Sequence, residues 1–222
     1  MHSIPRQKGH LESIAITPDT KRFISAGGSE GTTIEVWDTT TGKCIENLDS
    51  EKSRIMCVAA NHNANTIVAG HMDGTIWLRD DKIKRIKAHS GYIKSIAVEH
   101  SGQKIVSSGS DGFLRFWDTT TLALLHEVST SNPVDKMIAY ATYVVCQVEE
   151  ASQAWTFTGQ KCDTVQEKHS FDIDNSGEFM CIKYNGLSAY FPILLKDTQL
   201  VDDCVIGYNN NNLYVLQLKQ NK

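Results

Sequence analysis

Three residues in the middle of the chain carry the functional groups of a hydrolase catalytic triad. His89, Ser107 and Asp111 supply an imidazole, a hydroxyl and a carboxylate, which acyl-transfer enzymes use as base, nucleophile and orienting acid. In one large hydrolase class the nucleophilic Ser lies in a Gly-x-Ser-x-Gly turn. Ser107 follows Lys-Ile-Val instead, a run that favours a β-strand. Whether these groups do chemistry or hold the fold together depends on the elements that position them.

Other residue types that commonly carry chemistry form no recognisable site. The sequence has no Gly-x-Gly-x-x-Gly, no Walker loop, no His-Glu-x-x-His and no EF-hand loop. The eight histidines lack metal-ligand spacing, and the six cysteines form no Cys-x-x-Cys pair. Four cysteines lie in apolar runs, where a free thiol behaves as a small buried hydrophobe: Cys57, Cys146, Cys181 and Cys204. We expect no metal, no cofactor and no catalytic residue.

Length, composition and charge exclude several classes of protein. The 222 residues are 41% hydrophobic and 22% charged, which is typical of a globular protein with a substantial core. There are 22 Lys and Arg residues against 26 Asp and Glu residues, and this balance argues against direct binding to nucleic acid or to a membrane. No apolar run approaches the ~18 residues of a membrane span, and residues 1–10 lack the apolar centre of a secretory signal. We expect an intracellular protein, cytoplasmic or nuclear.

A run of positive charge, Lys-Ile-Lys-Arg-Ile-Lys, occupies residues 82–87. Its alternation is typical of an outer strand whose lysines protect an exposed sheet edge from pairing with other chains. A patch for phosphate or for an acidic partner is the alternative interpretation.

A short phrase recurs along the chain at nearly constant spacing. Residues 31–44 read GTTIEVWDTTTGKC, residues 74–80 read GTIWLRD, and residues 112–121 read GFLRFWDTTT. A diverged copy, QAWTFTGQKC, occupies residues 153–162. Superposing the copies aligns one position of each, at spacings of 42, 38, 38 and 35 residues: Trp37, Arg79, Trp117, Trp155 and Tyr190. Self-similarity at such a period indicates a repeat fold.

Each repeat contains four short runs of β-forming residues separated by turns. Ile, Val, Thr and aromatic residues dominate the runs, and no long helix-period stretch interrupts them. The turns are rich in Asp, Asn, Ser and Gly. Four strands in about 40 residues is typical of one blade of a β-propeller, so the sequence predicts an all-β fold.

The repeats resemble those of the WD-repeat β-propeller family, in which Gly-His is followed about thirty residues later by Trp-Asp. Two repeats have this form or a close variant: Gly9-His10 with Trp37-Asp38, and Ala88-His89 with Trp117-Asp118. The resemblance is specific over residues 9–128, moderate over 131–166 and weak beyond 167. It implies a β-propeller of four-stranded antiparallel blades, with about five recognisable blades and a short or partial sixth.

In this family a buried tetrad of His, Ser or Thr, Asp and Trp ties a blade together by hydrogen bonds. The resemblance implies one complete tetrad, in the third repeat: His89, Ser107, Asp111 and Trp117. It implies a partial tetrad from the earlier repeats: His10, Trp37 and Asp73. Each of these polar groups needs a partner once it is buried. The Ser-His-Asp set is therefore interpreted as a structural network, and we expect no enzymatic activity.

The remaining repeats depart from the pattern. The hairpin of the first repeat is one residue longer and has Glu30 near the position of the aspartate, and the second repeat has Ala69 where the third has Ser107. The fourth and fifth repeats lack the tetrad. Their blades would depend on apolar packing alone, so we expect them to be the less stable part of the molecule.

The repeat boundaries divide residues 1–222 into a single propeller with blades at about 9–50, 51–87, 88–130, 131–167, 168–196 and 197–222. In the family the N-terminal strand commonly completes the last blade, and residues 3–8 are expected to do so here. The last unit is about ten residues short of a repeat. Three arrangements stay open: a compact six-blade ring, an open propeller completed by a strand or blade from a partner chain, and the terminal part of a longer protein.

The resemblance implies a platform for binding other proteins, because WD-repeat propellers present a rigid ring of loops on their top face. Residues after the Gly-His turn and before the blade aspartate commonly project there: Ser13, Arg54, Met56, Met72, Tyr92, Lys94, Ser110, Pro133 and Asp135. Arg, Tyr and Met are typical anchors of interfaces. We expect a non-enzymatic scaffold that holds partner proteins in a multiprotein complex. A regulatory or sensor propeller within a larger multidomain protein is the alternative.

Overall fold

The regular elements of the molecule are β-strands throughout the part of the chain that the structure describes. The computed structural model describes residues 2–5, 10–28, 30–50, 53–130, 132–134, 136–139, 143–148, 151–162, 172–174, 180–184, 187–191, 198–201, 204–209 and 212–217. Strands in these segments form six antiparallel sheets, five of four strands and one of three. The predicted all-β propeller of four-stranded antiparallel blades is confirmed.

The first strand, β1 (His2–Pro5), belongs to the last sheet, and the three sheets that follow it consist of consecutive strands. Blade 1 contains β2 (His10–Ile16), β3 (Arg22–Gly28), β4 (Thr33–Asp38) and β5 (Cys44–Asp49). Blade 2 contains β6 (Ile55–Ala60), β7 (Ile67–His71), β8 (Thr75–Arg79) and β9 (Ile83–Lys87). Blade 3 contains β10 (Ile93–Val98), β11 (Lys104–Gly109), β12 (Phe113–Asp118) and β13 (Leu124–Ser129).

Three further sheets come from the second half of the chain. Blade 4 contains β14 (Lys136–Ala139), β15 (Tyr143–Val148), β16 (Ala151–Thr156) and β17 (Lys161–Cys162). Blade 5 has three described strands, β18 (Asp172–Asp174), β19 (Met180–Tyr184) and β20 (Leu187–Phe191). Blade 6 contains β21 (Thr198–Val201), β22 (Cys204–Asn209) and β23 (Asn212–Gln217).

The N-terminal strand pairs with the C-terminal one. β1 lies antiparallel to β23, so the strand order of blade 6 is β1-β23-β22-β21. Residues 6–8 of the predicted closing segment lie outside the described residues. The two ends of the described chain therefore meet in one sheet.

Neighbouring blades pack against each other through apolar side chains. β2 contacts β6, β6 contacts β10, and β10 contacts β14, while β2 also contacts β21 and β22. Because successive side chains of a strand point to opposite faces, Trp77 of β8 packs in the cluster with blade 1, whereas Ile76 and Leu78 pack in the cluster with blade 3. Phe116 and Trp155 lie in the cluster between blades 3 and 4.

The lysine-rich run at residues 82–87 contains the outer strand of blade 2. Its exposure alternates along β9, as expected for a strand whose two faces differ in burial. The Lys84 ammonium donates to the Asp80 carboxylate at 2.6 Å, and that of Lys87 donates to the backbone carbonyl of Asp73. These two cations have partners within the chain.

The strand ends define two faces of the described blades. β6 and β10 begin at one face, where the β7–β8 and β11–β12 hairpins also turn, and we call it the top face. The β6–β7 and β10–β11 turns lie at the opposite, bottom face. The inner strands β2, β6 and β10 each carry a register shift near the top face, and the extra residues are Glu12, Met56 and Lys94. A β-bulge of this kind redirects its side chain.

Candidate functional site

Blade 3 contains a buried chain of hydrogen bonds. The indole Nε1 of Trp117 donates to Ser107 Oγ at 2.9 Å, and the same Oγ lies 2.8 Å from Nε2 of His89. On the other side of the imidazole, Nδ1 of His89 lies 2.8 Å from Asp111 Oδ1. The structure thus brings together the four residues of the predicted complete tetrad.

The hydrogen-bonding capacity of each group determines the direction of these bonds. An indole N–H only donates, so Ser107 Oγ accepts it and turns its own hydrogen toward Nε2 of His89. Nδ1–H of His89 then donates to Asp111. Burial lowers the pKa of His89, although the Asp111 carboxylate acts to raise it, and the ring is therefore neutral at pH 7.

Arg115 extends this network toward the top face. Its Nη1 donates to Asp111 Oδ2 at 2.9 Å, and its Nε donates to Glu127 Oε2 at 2.6 Å. Burial raises the pKa of Asp111, but hydrogen bonds from Arg115, His89 and the backbone N–H of Ser90 outweigh it and hold the pKa below its usual range. Sequence reasoning missed Arg115, although strand alternation places it on the same side of β12 as Trp117.

This geometry matches a Ser-His-Asp triad, yet the Ser107 hydroxyl has no room to act as a nucleophile. Ser107 is fully buried within blade 3. Its Oγ already accepts the Trp117 indole N–H, and no part of the residue is open to solvent. The arrangement satisfies buried polar groups and joins β11, β12, the hairpin between them and the segment before β10.

Blade 1 has a shorter version of the same network. Trp37 Nε1 donates to Ser25 Oγ at 2.9 Å, and the Ser25 hydroxyl donates to Glu35 Oε2 at 3.1 Å. The buried Glu35 carboxylate accepts the bond that His89 accepts in blade 3. Glu35 was also missed, although it lies two residues before Trp37 in a strand and so shares its face.

His10 does not belong to the blade 1 network, and its assignment to a partial tetrad is corrected. Strand pairing makes Ser25 equivalent to Ser107, and by the same register His10 is equivalent to Tyr92 and not to His89. His10 is exposed at the start of β2. The similar spacing from His to Trp in the two repeats is therefore a coincidence.

The length of the β3–β4 hairpin explains why the spacing from His to Trp is similar in the two repeats although His10 and His89 are not equivalent. Ser25 pairs with Glu35, ten positions later, whereas Ser107 pairs with Arg115, eight positions later. The hairpin of blade 1 is thus two residues longer by register, not one. Relative to its blade, His10 lies three residues further along the chain than His89 does. The extra length of the hairpin compensates for most of this shift.

Asp73, the third residue of the predicted partial tetrad, is also not part of a tetrad. Asp73 is exposed, and its carboxylate accepts the backbone N–H of Thr75 at 2.9 Å within the β7–β8 hairpin. Ala69 occupies the position of Ser107, so blade 2 has no hydroxyl to bridge a Trp and a His.

A buried histidine fills the space of the missing network in blade 2. His71 occupies the position of Gly109, where a Cβ would lie 2.2 Å from the His89 ring. Its Nδ1 lies 2.7 Å from the Ser53 carbonyl oxygen, and burial lowers its pKa. Among the described residues, Nε2 of His71 and the buried Nε1 of Trp77 have no hydrogen-bond partner. His71 is the last residue of β7.

The aspartates of the two Trp-Asp pairs cap turns at the bottom face. Asp38 Oδ1 accepts the backbone N–H and the hydroxyl of Thr41 at 2.7 and 2.9 Å, and Asp118 makes the same bonds to Thr121 at 2.8 and 2.9 Å. The backbone N–H of the Thr is the largest cause that lowers the pKa of each aspartate. These bonds explain why Asp-Thr-Thr-Thr occurs twice.

The buried histidines predict a loss of stability in mild acid. The folded chain lowers the pKa of His71 and His89 below 6.5, so the unfolded chain binds protons first as the pH falls through 6.5. We expect the free energy of unfolding to decrease below pH 6.5. It should decrease again below pH 3.8, where the Asp111 carboxyl takes up a proton in the unfolded chain before it does so in the folded chain.

Urea unfolding at pH 7.5, 6.5 and 5.5 measures the decrease that the histidines cause. His71→Asn keeps a donor near the Ser53 carbonyl and should reduce the loss; a loss equal to that of the wild type would contradict the assignment.

The predicted partner-binding residues differ in their accessibility. Three are exposed: Arg54, Met72 and Tyr92. Four are half-buried: Met56, Lys94, Ser110 and Pro133. Asp135 lies outside the described residues.

Ser13 is buried and is not available to a partner, which corrects its assignment. Its hydroxyl accepts the backbone N–H of Val58 at 3.2 Å and links blade 1 to blade 2. The bulge in β2 makes Glu12, and not Ser13, the equivalent of Met56 and Lys94. The sequence carries no clear signal for a bulge, so Glu12 was missed.

Arg54 is held in place on the top face by two contacts. Its Nη2 donates to Glu12 Oε1 at 2.6 Å, across the boundary between blades 1 and 2. Its side-chain stem lies against the backbone of Gly31, where a Cβ would be 2.8 Å from Arg54 Cγ and where φ is +76°. An exposed ion pair adds only about 0–1 kcal/mol of stability, so its main effect is to orient the guanidinium.

Backbone hydrogen bonds fix the positions of Met72 and Tyr92. The N–H of Met72 donates to the Arg54 carbonyl at 2.8 Å, and that of Ser110 donates to the Tyr92 carbonyl at 2.9 Å. Met72 is 58% exposed and Tyr92 is 39% exposed. Because the backbone at both residues is already ordered, a partner would have to immobilise only their side chains.

Metal and thiol chemistry find no support in the described part of the chain. No three His, Cys, Asp or Glu side chains there are grouped closely enough to bind a metal ion. Burial raises the pKa of the Cys57 and Cys146 thiols to about 12, so both are protonated and unreactive. No helix in these segments is long and apolar enough to cross a membrane.

The chain is similar in sequence to a known family and to several known proteins. The model of the family described as "WD domain, G-beta repeat" matches residues 2–38, 42–80 and 81–118. Target of rapamycin complex 1 subunit mip1 of Schizosaccharomyces pombe is 25% identical over 167 residues, which cover 68% of this chain and 13% of that protein. Anaphase-promoting complex subunit cdh1 of Dictyostelium discoideum is 28% identical over 115 residues, 49% of this chain and 15% of that protein. A guanine nucleotide-binding protein subunit beta of Oryza sativa subsp. japonica is 29% identical over 126 residues, 51% of this chain and 33% of that protein. The chain spans a third or less of the length of these relatives.

Proposed function

This chain belongs to the WD-repeat family, and from that membership we propose that it is a non-enzymatic scaffold that holds partner proteins in a complex through its top face. The family is in general one of interaction scaffolds. Two of the relatives are, by name, subunits of target of rapamycin complex 1 and of the anaphase-promoting complex, and a third is a subunit of a guanine nucleotide-binding protein. An intracellular location, cytoplasmic or nuclear, forms part of the same proposal.

One observation carries this proposal. Arg54, Met72 and Tyr92 are exposed together on the top face, on backbone that is fixed by hydrogen bonds. Arg and Tyr are among the residue types most enriched at the energetic centres of protein interfaces. Met adapts its shape to a partner because its side chain is unbranched and polarisable.

The propeller is also proposed to close on itself through its N-terminal strand. The pairing of β1 with β23 supports this, as do the contacts of β2 with β21 and β22. A regulatory propeller inside a larger protein is the second candidate, favoured by the greater length of the relatives. Both candidates use the same top face.

Removing two of the exposed anchors should abolish partner binding without unfolding the chain. We expect the Arg54→Ala, Tyr92→Ala double variant to lose proteins that the wild type captures, because truncation of central Arg and Tyr anchors typically costs 2 kcal/mol or more each. The measurement is affinity capture from cell extract with quantitative mass spectrometry. Circular dichroism and light scattering establish that the variant keeps the fold and the oligomeric state of the wild type.

A matched variant on the bottom half of the molecule provides the control. Lys43→Ala with Leu124→Ala also removes one exposed cation and one exposed large side chain. It should retain every protein captured by the wild type. Equal loss in both variants, or full retention in the Arg54, Tyr92 variant, would exclude the top face as the binding surface.

A further inference from the structure

The outer strand of blade 3 has a free edge. In the described part of the chain β13 pairs with β12 and with no other strand. One of its six residues is half-buried and the others are exposed, whereas two of six are half-buried in β5 and two of five in β9. An edge strand carries backbone N–H and C=O groups that its own sheet does not use, and these groups can pair with another chain.

The strand register shows which backbone groups of β13 point outward. The N–H of Thr130 donates to the carbonyl oxygen of Gly112 at 2.9 Å, so these two residues form a hydrogen-bonded pair of the ladder. Hydrogen-bonded and non-hydrogen-bonded pairs alternate in an antiparallel ladder, and β13 stays in register with β12 from Ser129 to His126. Ser129 and Glu127, one and three positions before Thr130, are therefore in non-hydrogen-bonded pairs. Their N–H and C=O groups point toward the free edge.

The outer edges of blades 1 and 2 carry charged side chains where blade 3 has Ser129. Register aligns Glu127 and Ser129 with a pair of residues in each of the two preceding outer strands: Asn47 and Asp49 in β5, and Arg85 and Lys87 in β9. Charged side chains on an edge, lysine above all, oppose the addition of another strand. Ser129 is neutral and exposed, so the upper end of β13 is open to a partner strand.

The charged groups behind this edge carry one negative charge in excess. Arg115 donates to Asp111 at 2.9 Å and to Glu127 at 2.6 Å, so one guanidinium lies between two carboxylates, and His89 is neutral. Glu127 is the accessible acid, since its side chain is 38% exposed and that of Asp111 is 8% exposed. In the described part of the chain, Arg115 is the one cation within ion-pair distance of Glu127. A basic side chain on a partner complements this charge.

An exposed aliphatic side chain lies below Glu127 on the same strand. Leu125 is the extra residue of the β-bulge between His126 and Leu124, and it is 46% exposed. Because the bulge interrupts the regular ladder, a partner strand can pair only with the short stretch above it. An apolar residue near the end of that partner strand would cover Leu125 and remove its apolar surface from water.

We propose that the edge of β13 binds an extended segment of a partner protein, which adds to blade 3 as a fifth, antiparallel strand. The backbone of the segment bonds to the outward N–H and C=O groups of Glu127 and Ser129. A Lys or Arg of the segment lies opposite Glu127 and donates to its carboxylate, and an aliphatic residue two or three positions later covers Leu125. This surface is on the outer side of blade 3 and does not depend on the proposed top-face function.

A second copy of this chain fits the edge less well than such a segment. Antiparallel pairing of two β13 strands centred on Glu127 would place two carboxylates opposite each other, and like charges in that position destabilise a sheet. A basic segment places opposite charges there, and such a pair stabilises the sheet. The partner is therefore a different chain.

Selection of displayed random dodecapeptides on the wild-type chain, after depletion on Ser129→Pro, tests this proposal. Pro removes the outward N–H of residue 129 without breaking a bond to β12, so we expect the fold to be retained, which circular dichroism and thermal unfolding establish. We expect the selected peptides to carry Lys or Arg followed two or three positions later by Leu, Ile, Val or Met. In fluorescence polarisation a synthetic copy should bind about tenfold or more weakly to Ser129→Pro.

Further variants separate the backbone of the edge from its side chains. Ser129→Ala keeps the outward N–H and should bind the peptide as the wild type does. Asp49→Pro makes the same change at the equivalent position of blade 1 and should also leave binding unchanged. Glu127→Gln should weaken binding, and so should raised salt, because the basic residue of the peptide loses its ion pair.

Hydrogen exchange of the wild-type chain, followed by NMR, gives a second measurement that needs no variant. The amides of Glu127 and Ser129 should exchange more slowly with the peptide bound, whereas those of Asn47 and Asp49 should not change. Failure to recover any peptide after depletion, selected peptides without a basic residue, equal weakening by Ser129→Pro and Ser129→Ala, or unchanged exchange at Glu127 and Ser129 would overturn the proposal. A dimer of the isolated chain that dissociates in Ser129→Pro would also overturn it, because a second copy would then occupy the edge.

Discussion

Replacing Ser107 with Ala should lower the free energy of unfolding by about 2–6 kcal/mol, because it leaves two buried polar groups without a partner and each costs ~1–3 kcal/mol. The Trp117 indole N–H and Nε2 of His89 both bond to the Ser107 hydroxyl in the wild type. Neither can reach water, since Ser107 and His89 are buried. Urea unfolding followed by Trp fluorescence measures the loss, which corresponds to a decrease in Tm of several degrees.

Two further variants test whether the loss of stability comes from the buried hydroxyl. Ser107→Thr keeps a hydroxyl at the same position and should cost clearly less than Ser107→Ala. Ser101→Ala removes an exposed hydroxyl from the β10–β11 turn and should change stability by no more than about 0.5 kcal/mol. A loss for Ser107→Ala no larger than that of Ser101→Ala would show that the buried network contributes nothing to stability.

Replacing Trp77 with Ala should cost about 3–5 kcal/mol, the typical range for removal of a buried aromatic side chain. Trp77 is fully buried and packs between blades 1 and 2. Its Nε1 has no partner among the described residues, unlike Nε1 of Trp117, which donates to Ser107. We therefore expect Trp77→Phe to cost much less than Trp117→Phe, since Phe removes an unpaired N–H in blade 2 but breaks a hydrogen bond in blade 3.

The comparison of the two Trp-to-Phe variants separates packing from hydrogen bonding. Both substitutions remove similar volume from buried sites, so cavity formation contributes similarly to each. The difference between their free energies of unfolding reports the bond to Ser107. A cost for Trp77→Phe equal to or above that for Trp117→Phe would contradict the assignment of an unpaired indole in blade 2.

Much of the fold could be predicted from the sequence because its repeats are visible in residue types. Trp37 and Trp117 are each followed directly by an aspartate that caps the next turn. The hydrogen bonds of this cap require Asp and Thr at a fixed spacing, so the same residue types recur in both repeats. The all-β propeller and the family are confirmed. The strands could be predicted from runs of alternating or apolar residues, because successive side chains of a strand point to opposite faces of the sheet.

The register of the strands could not be predicted in the same way. A β-bulge adds one residue to a strand without a distinctive sequence, so Ser13 was chosen where Glu12 is the surface residue. The longer hairpin of blade 1 likewise hid the fact that His10 corresponds to Tyr92. Where a bulge or a longer hairpin inserts residues, two residues with the same spacing along the chain no longer occupy the same positions in the sheet.

Some residues of the buried networks could have been found from strand alternation. Glu35 lies two residues before Trp37, and Arg115 lies two residues before Trp117, so each shares the face of its Trp. A charged residue on an inward face of a strand predicts a buried partner. The burial of His71 was harder to foresee, because it depends on a ring filling the space that Gly109 leaves for His89 in blade 3.

Partner proteins are proposed to bind on the top face of a rigid propeller. Hydrogen exchange measured by mass spectrometry, on the chain alone and with a captured partner bound, tests it most directly. We predict that peptides containing Glu12, Arg54, Met72 and Tyr92 become protected in the complex, while those with the bottom-face turns at 39–43, 61–66 and 119–123 exchange at unchanged rates. Protection confined to the bottom-face turns would contradict the claim.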